Sequence, residues 1–129
     1  MKMSVVVSPS FKQVMSKLIE TPMPAKVSHG VMKAAKEIEE HQGEYLEFRK
    51  ELIERLAARQ EDGTFHVEIV EDREMIKFKD DDAADEFNTA IDEFLNKDID
   101  VQTKINVDVI DACVQISAKE LYVLGDLLS

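Results

Sequence analysis

The hydrophobic pattern divides the chain into helical and alternating stretches. Met3–Val7 is a short β-branched run and predicts a strand. Ser8-Pro9 then predicts a helix start, with serine as the cap and proline at the first helical position. Phe11, Val14, Met15, Leu18 and Ile19 follow on one helical face, and Thr21-Pro22-Met23-Pro24 ends the helix. From Ala25 to about Arg59 a proline-free stretch carries Val27, Val31, Ala34, Ala35, Ile38, Tyr45, Phe48, Leu52 and Leu56 in one stripe, with Glu37, Glu40, Glu44, Glu47, Lys50, Glu51 and Glu54 over the rest. The stripe weakens at His41-Gln42-Gly43, where either a kinked rod or a helix–turn–helix hairpin fits. Glu61-Asp62-Gly63 predicts a turn. Phe65, Val67 and Ile69 alternate with polar residues, as do Ile76 and Phe78, and Glu71–Glu74 between them predicts a hairpin with a four-residue loop. Asp80-Asp81-Asp82 suits the start of a helix presenting Ala83, Ala84, Phe87, Ala90, Ile91, Phe94 and Leu95. Ile99–Val107 and Cys113–Ile116 predict strands, with Asp108–Ala112 as a link or single turn between them. Ser117 and Glu120 form an S-x-x-E capping box opening a last helix with Leu121, Tyr122, Leu124, Leu127 and Leu128.

The implied order, β-α-α-β-β-α-β-β-α, predicts an α+β fold. It has a small antiparallel or mixed sheet packed with helices, including one long amphipathic helix. At 129 residues the chain is expected to form a single domain with its own core. The two ends, Val5–Ile19 and Val114–Leu128, each run a short strand into a capped helix and are expected to pair in space.

Charge changes this picture. The net charge is −11 and unevenly spread. Residues 1–60 hold ten Lys/Arg and eight Asp/Glu, whereas residues 61–100 hold four and fifteen. Such a field repels nucleic acid and anionic membrane, and it is compatible with a partner of basic surface. The apolar run at residues 3–7 is far shorter than a signal peptide's, and no stretch approaches the roughly 20 apolar residues of a membrane span. With one cysteine, Cys113, no disulfide within the chain can form; Cys113 is expected to be a small core residue and the protein cytoplasmic.

The search for chemistry predicts no catalytic residue, no metal site and no cofactor. No phosphate-cradling glycine run exists among Gly30, Gly43, Gly63 and Gly125. His29 and His41 are not at helical ligand spacing, and His66 falls on the polar face of a strand. Asp80, Asp81, Asp82, Asp85 and Glu86 lack the central glycine and alternating ligands of a calcium loop. Ser8, Ser10 and Ser117 are cap residues rather than nucleophiles.

What remains is protein–protein contact. An unbroken helix of about 35 residues would be about 50 Å long, against a diameter of about 35–40 Å for a compact domain of this size. Unless it breaks near Gly43, part of its stripe is left for a partner, through Tyr45, Phe48, Leu52 and Leu56. That partner would be a second copy or a larger assembly.

Several segments carry a resemblance. They are Pro24-Ala25-Lys26 opening a long helix with Lys33, Lys36, Glu39 and Glu40; Glu51-Leu52-Ile53-Glu54-Arg55-Leu56; the Asp-Gly turn at 62–63; Glu86-Phe87-Asn88 and Glu93-Phe94-Leu95-Asn96; the Val/Ile segment Val101–Ile105; and Ile116–Leu121. Over about residues 20–125 the chain resembles a loose family of uncharacterised small proteins encoded by tailed bacteriophages. The resemblance carries no catalytic residue. It implies a phage-encoded protein, often associated with structural or late genes. The expected function is that of a non-enzymatic accessory or virion-assembly protein acting by protein–protein contact, in the host cytoplasm or incorporated in the virion. The alternative reading is an acidic phage-encoded inhibitor of a host protein. It would present nucleic-acid-like negative charge from Asp80, Asp81, Asp82, Asp85 and Glu86.

Overall fold

The computed structural model describes residues 1–129. The elements are α1 (Met3–Val6), α2 (Pro9–Glu20), α3 (Ala25–Leu56), β1 (Val67–Val70), β2 (Arg73–Ile76), α4 (Asp81–Leu95), α5 (Val107–Asp111) and α6 (Ala118–Leu124), followed by a 3-10 turn at Gly125–Leu127. The fold is α+β, with one antiparallel pair, β1–β2, as its sheet. Contacts divide the chain into two compact units: Met1–Glu44 with Leu95–Ser129, and Tyr45–Phe94.

The first unit is held by buried residues from both ends of the chain, among them Met3, Phe11, Leu18, Val31, Ile38, Ile105, Ile110, Leu124 and Leu127. Ser8 caps α2 by accepting the Phe11 N–H at 3.3 Å, with Pro9 at the first helical position. The expected meeting of the two ends is borne out. Lys17 of α2 donates to the Gln115 carbonyl at 2.7 Å and pairs with Glu120 at 3.0 Å.

Three expected strands are not strands. Met3–Val6 is a helical turn with Met3 and Val6 fully buried, and its entry is held by the Met3 N–H on the Lys97 carbonyl. Burying two large side chains three residues apart outweighs the β preference of the valines. Ile99, Val101 and Ile105 are buried in the alternation expected of a strand. They have only isolated backbone pairings beside them, at Lys2–Asp98 and Ile105–Leu128. Cys113–Ile116 pairs with nothing as a strand, and Cys113 is half-buried rather than core.

The closing capping box is complete. Ser117 Oγ accepts from the Glu120 N–H at 3.1 Å, and Glu120 Oε1 accepts from the Ser117 N–H at 3.0 Å. The Ser117 N–H, and after it Lys17, hold the Glu120 carboxyl below the usual glutamate range. A depressed folded value stabilises fully above the unfolded pKa and fades as pH falls through the folded one. Ser117→Ala is expected to cost about 1 kcal/mol in denaturant unfolding. The advantage of the natural chain over Glu120→Gln is expected to shrink below about pH 4.

Helix α3 is continuous over 32 residues, about 48 Å. No break occurs at Gly43, and the helix ends at Leu56 rather than near Arg59. The stripe weakens at His41 and Gln42 because the helix there meets backbone rather than side chains. Gln42 Nε2 donates to the Val6 carbonyl at 2.7 Å, and His41 Nε2 lies 3.3 Å from the Asp100 carbonyl. A methyl group on Gly43 would meet nothing within 4 Å. Gly43→Ala is therefore expected to raise stability by about 0.5–1 kcal/mol, read as a higher denaturant midpoint.

In the second unit Asp62 Oδ1 accepts from the Thr64 N–H at 3.0 Å and its hydroxyl at 2.6 Å, with Gly63 at φ +88°, forming the expected turn. The hairpin loop has two residues, not four. Val70 pairs with Arg73, and Glu71 and Asp72 take φ of +52° and +62°. Positive φ at both positions matches the right-handed twist of the strands.

Candidate interaction site

The second unit is built on α3 and α4. Leu52 and Leu56 are buried with Ala83, and Phe48, Phe78, Phe87, Ala90 and Ile91 pack around them. Phe48 stacks on Phe94 with centroids 4.5 Å apart, and Tyr45 reaches the same ring at 5.9 Å. The expectation of an exposed stripe at Tyr45, Phe48, Leu52 and Leu56 is thus corrected. The helix does not break, yet α4 covers this stripe within the same chain. The covering helix was legible as amphipathic; its pairing with this part of α3 was not.

The acidic residues divide in role. Asp80 caps α4, its carboxylate accepting from the Ala83 N–H at 2.7 Å. Glu86 pairs with Arg55 at 3.0 Å, both side chains half-exposed, so the pair adds little stability. Asp81, Asp82 and Asp85 are exposed. Residues 45–94 together hold sixteen Asp/Glu and seven Lys/Arg, so the second unit carries −9 of the chain's −11.

The surface that pattern reading missed is the hairpin. Its base is fixed to the end of α3: the Ala58 N–H donates to the Lys77 carbonyl at 2.8 Å, and the His66 N–H donates to the Ala58 carbonyl at 2.9 Å. Beyond that base the strands stand open. Val67 is 42% exposed, Ile69 76%, Val70 46% and Met75 54%. Alternation of Phe65, Val67 and Ile69 suggested one sheltered face, but shelter requires a third strand or a covering helix, and β1–β2 has no further strand. Beside β2 lies a cleft of about 390 Å³, lined by Ile53 of α3, Phe87 of α4, and Met75 and Ile76 of β2, with Arg49 and Glu74 as its charged members. Its size falls within the range of ligand-binding clefts.

No group of three or more His, Cys, Asp or Glu side chains is placed to hold a metal ion. No helix is long and apolar enough to cross a membrane. His41 Nδ1 is buried without a hydrogen-bond partner, 3.9 Å from a Glu44 carboxylate oxygen. No protein-family model, curated protein or solved structure matches the chain.

Proposed function

We propose that this chain is a non-enzymatic protein-contact module, of the kind tailed phages encode as accessory or virion-assembly proteins, and that it meets its partner through the second unit. The observation that carries this reading is a coincidence of surfaces. The unit with a −9 balance also holds the exposed apolar side chains of the hairpin, Val67, Ile69, Val70 and Met75. Charge steers and orients an encounter, while desolvated apolar side chains supply most of the affinity. The long helix then acts as the support on which the hairpin is mounted rather than as the contact face. A basic partner suits this unit better than a second copy, because two surfaces of like sign repel.

The exposure of Asp81, Asp82 and Asp85 favours a second reading. In it the chain inhibits a host protein by presenting negative charge in place of nucleic acid.

Cross-linking in infected cells separates the two. On the first reading, a double Ile69→Lys, Met75→Lys variant loses the partner, and capture by the natural chain survives moderate salt. On the second, reversing Asp81, Asp82 and Asp85 to Lys abolishes capture, and salt does the same because exposed charges are screened over about 10 Å at 0.1 M. A partner retained by both variants would overturn both readings.

A further inference from the structure

The hairpin has two open edges, and they are not equivalent. The Lys77 N–H donates to the His66 carbonyl at 2.9 Å, so His66 and Lys77 form a hydrogen-bonded pair. Antiparallel strands alternate bonded and non-bonded pairs. Glu68–Met75 and Val70–Arg73 are therefore bonded, while the peptide groups of Val67, Ile69, Glu74 and Ile76 point outward from the pair. Both strands reach the cleft, but β1 does so through Val67 alone. Glu74, Met75 and Ile76 all line it, although consecutive strand residues point to opposite faces. The cleft therefore lies on the β2 side of the hairpin, beneath the face that Val67, Glu74, Ile76 and Phe78 share, where a strand added at the β2 edge would meet it.

We propose, resting on the contact reading above, that β2 accepts an extended, basic segment of a partner protein as a third strand. The outward peptide groups of Glu74 and Ile76 would bond that segment, and one of its apolar side chains would enter the cleft against Ile53 and Phe87. Backbone pairing at an open edge supplies affinity, and alternate side chains supply choice of partner. Charge selects the occupant. Glu68, Glu71, Asp72 and Glu74 surround the edge, and Lys77, one of the two hairpin cations, is already 3.6 Å from Glu68. Alternating Lys or Arg with Val or Ile on the incoming strand answers both the acidic rim and the apolar cleft. A second copy would bring acidic hairpin against acidic hairpin.

The probe is the fluorescein-labelled peptide KVKIKVK, titrated against the full chain by anisotropy, with amide hydrogen exchange followed by NMR. Saturable binding is expected, with exchange at the Glu74 and Ile76 amides slowed about tenfold or more at saturation. Glu74→Pro removes an outward N–H, which an edge strand tolerates. It is expected to leave the hairpin's own cross-strand contacts intact and to weaken binding about tenfold, the loss of one backbone bond. Equal binding by KPKIPKK, which has the same charge but a proline interrupting each edge, would overturn the proposal, as would protection at Val67 and Ile69 instead. So would a dimer in light scattering whose Glu74 and Ile76 amides are protected without peptide. If the hairpin variants lose their partner in infected cells while the peptide fails these tests, strand addition is wrong and the contact reading stands. If no partner in cells depends on the second unit, the contact reading falls whatever the peptide does.

Discussion

Replacing Leu52 by aspartate is expected to unfold the second unit rather than to release a partner. Leu52 is 5% exposed and sits with Leu56 against Ala83 of α4. Truncating a buried leucine to alanine already costs about 2–5 kcal/mol. An aspartate there adds a carboxylate to an apolar cluster, which costs several kcal/mol more or forces it to take up a proton. Total domain stability is only about 5–15 kcal/mol. The expected result is loss of amide protection through Ala83–Phe94 and the hairpin, with a fall in helical circular dichroism. A substitution on an exposed intermolecular stripe would behave otherwise, leaving the helical signal intact and lowering only the mass in solution. That second outcome would refute the covering of α3 by α4.

Phe11→Ala is expected to be nearly as severe in the first unit. Phe11 is fully buried and is the largest side chain that is so. It lies one turn into α2, above Val14, Met15 and Leu18, where lost burial and the remaining cavity together cost about 3–5 kcal/mol. The denaturant midpoint should fall accordingly, and exchange should quicken across Pro9–Glu20 and Ala118–Leu124, since Lys17 and Glu120 tie those helices together. Tyr122→Ala is the control: at 87% exposure the change should stay within about 0.5 kcal/mol. A comparable loss at both positions would mean that the assigned core is wrong.

These two expectations rest on different kinds of evidence. Phe11 was legible as core because Phe11, Val14, Met15 and Leu18 repeat at helical spacing behind a capped start, and α2 buries that face. Leu52 was legible as apolar but not as covered. A stripe states that a helix needs a partner and says nothing about which element supplies it. The candidate contact surface was harder still. Val67 and Ile69 read as one face of a strand, and they are exposed because no third strand pairs with the hairpin. The acidic residues were visible from the start, but their division into cap, ion pair and open surface depended on where Arg55 and the start of α4 lie.

Local chemistry was enough to specify the helix starts at Ser8, Asp80 and Ser117 and the turn at Asp62–Thr64, because each bonds groups within three residues. The sequence by itself also determined the amphipathic faces and the concentration of negative charge in residues 61–100. The tertiary structure alone decided that Met3–Val6 coils, that Ile99–Ile105 forms no ladder, that α3 continues through Gly43, and that β2 keeps an open edge. The reason is common to all four. Each outcome turns on a neighbour distant in sequence, and a local pattern records the need to bury or to pair without recording what meets it.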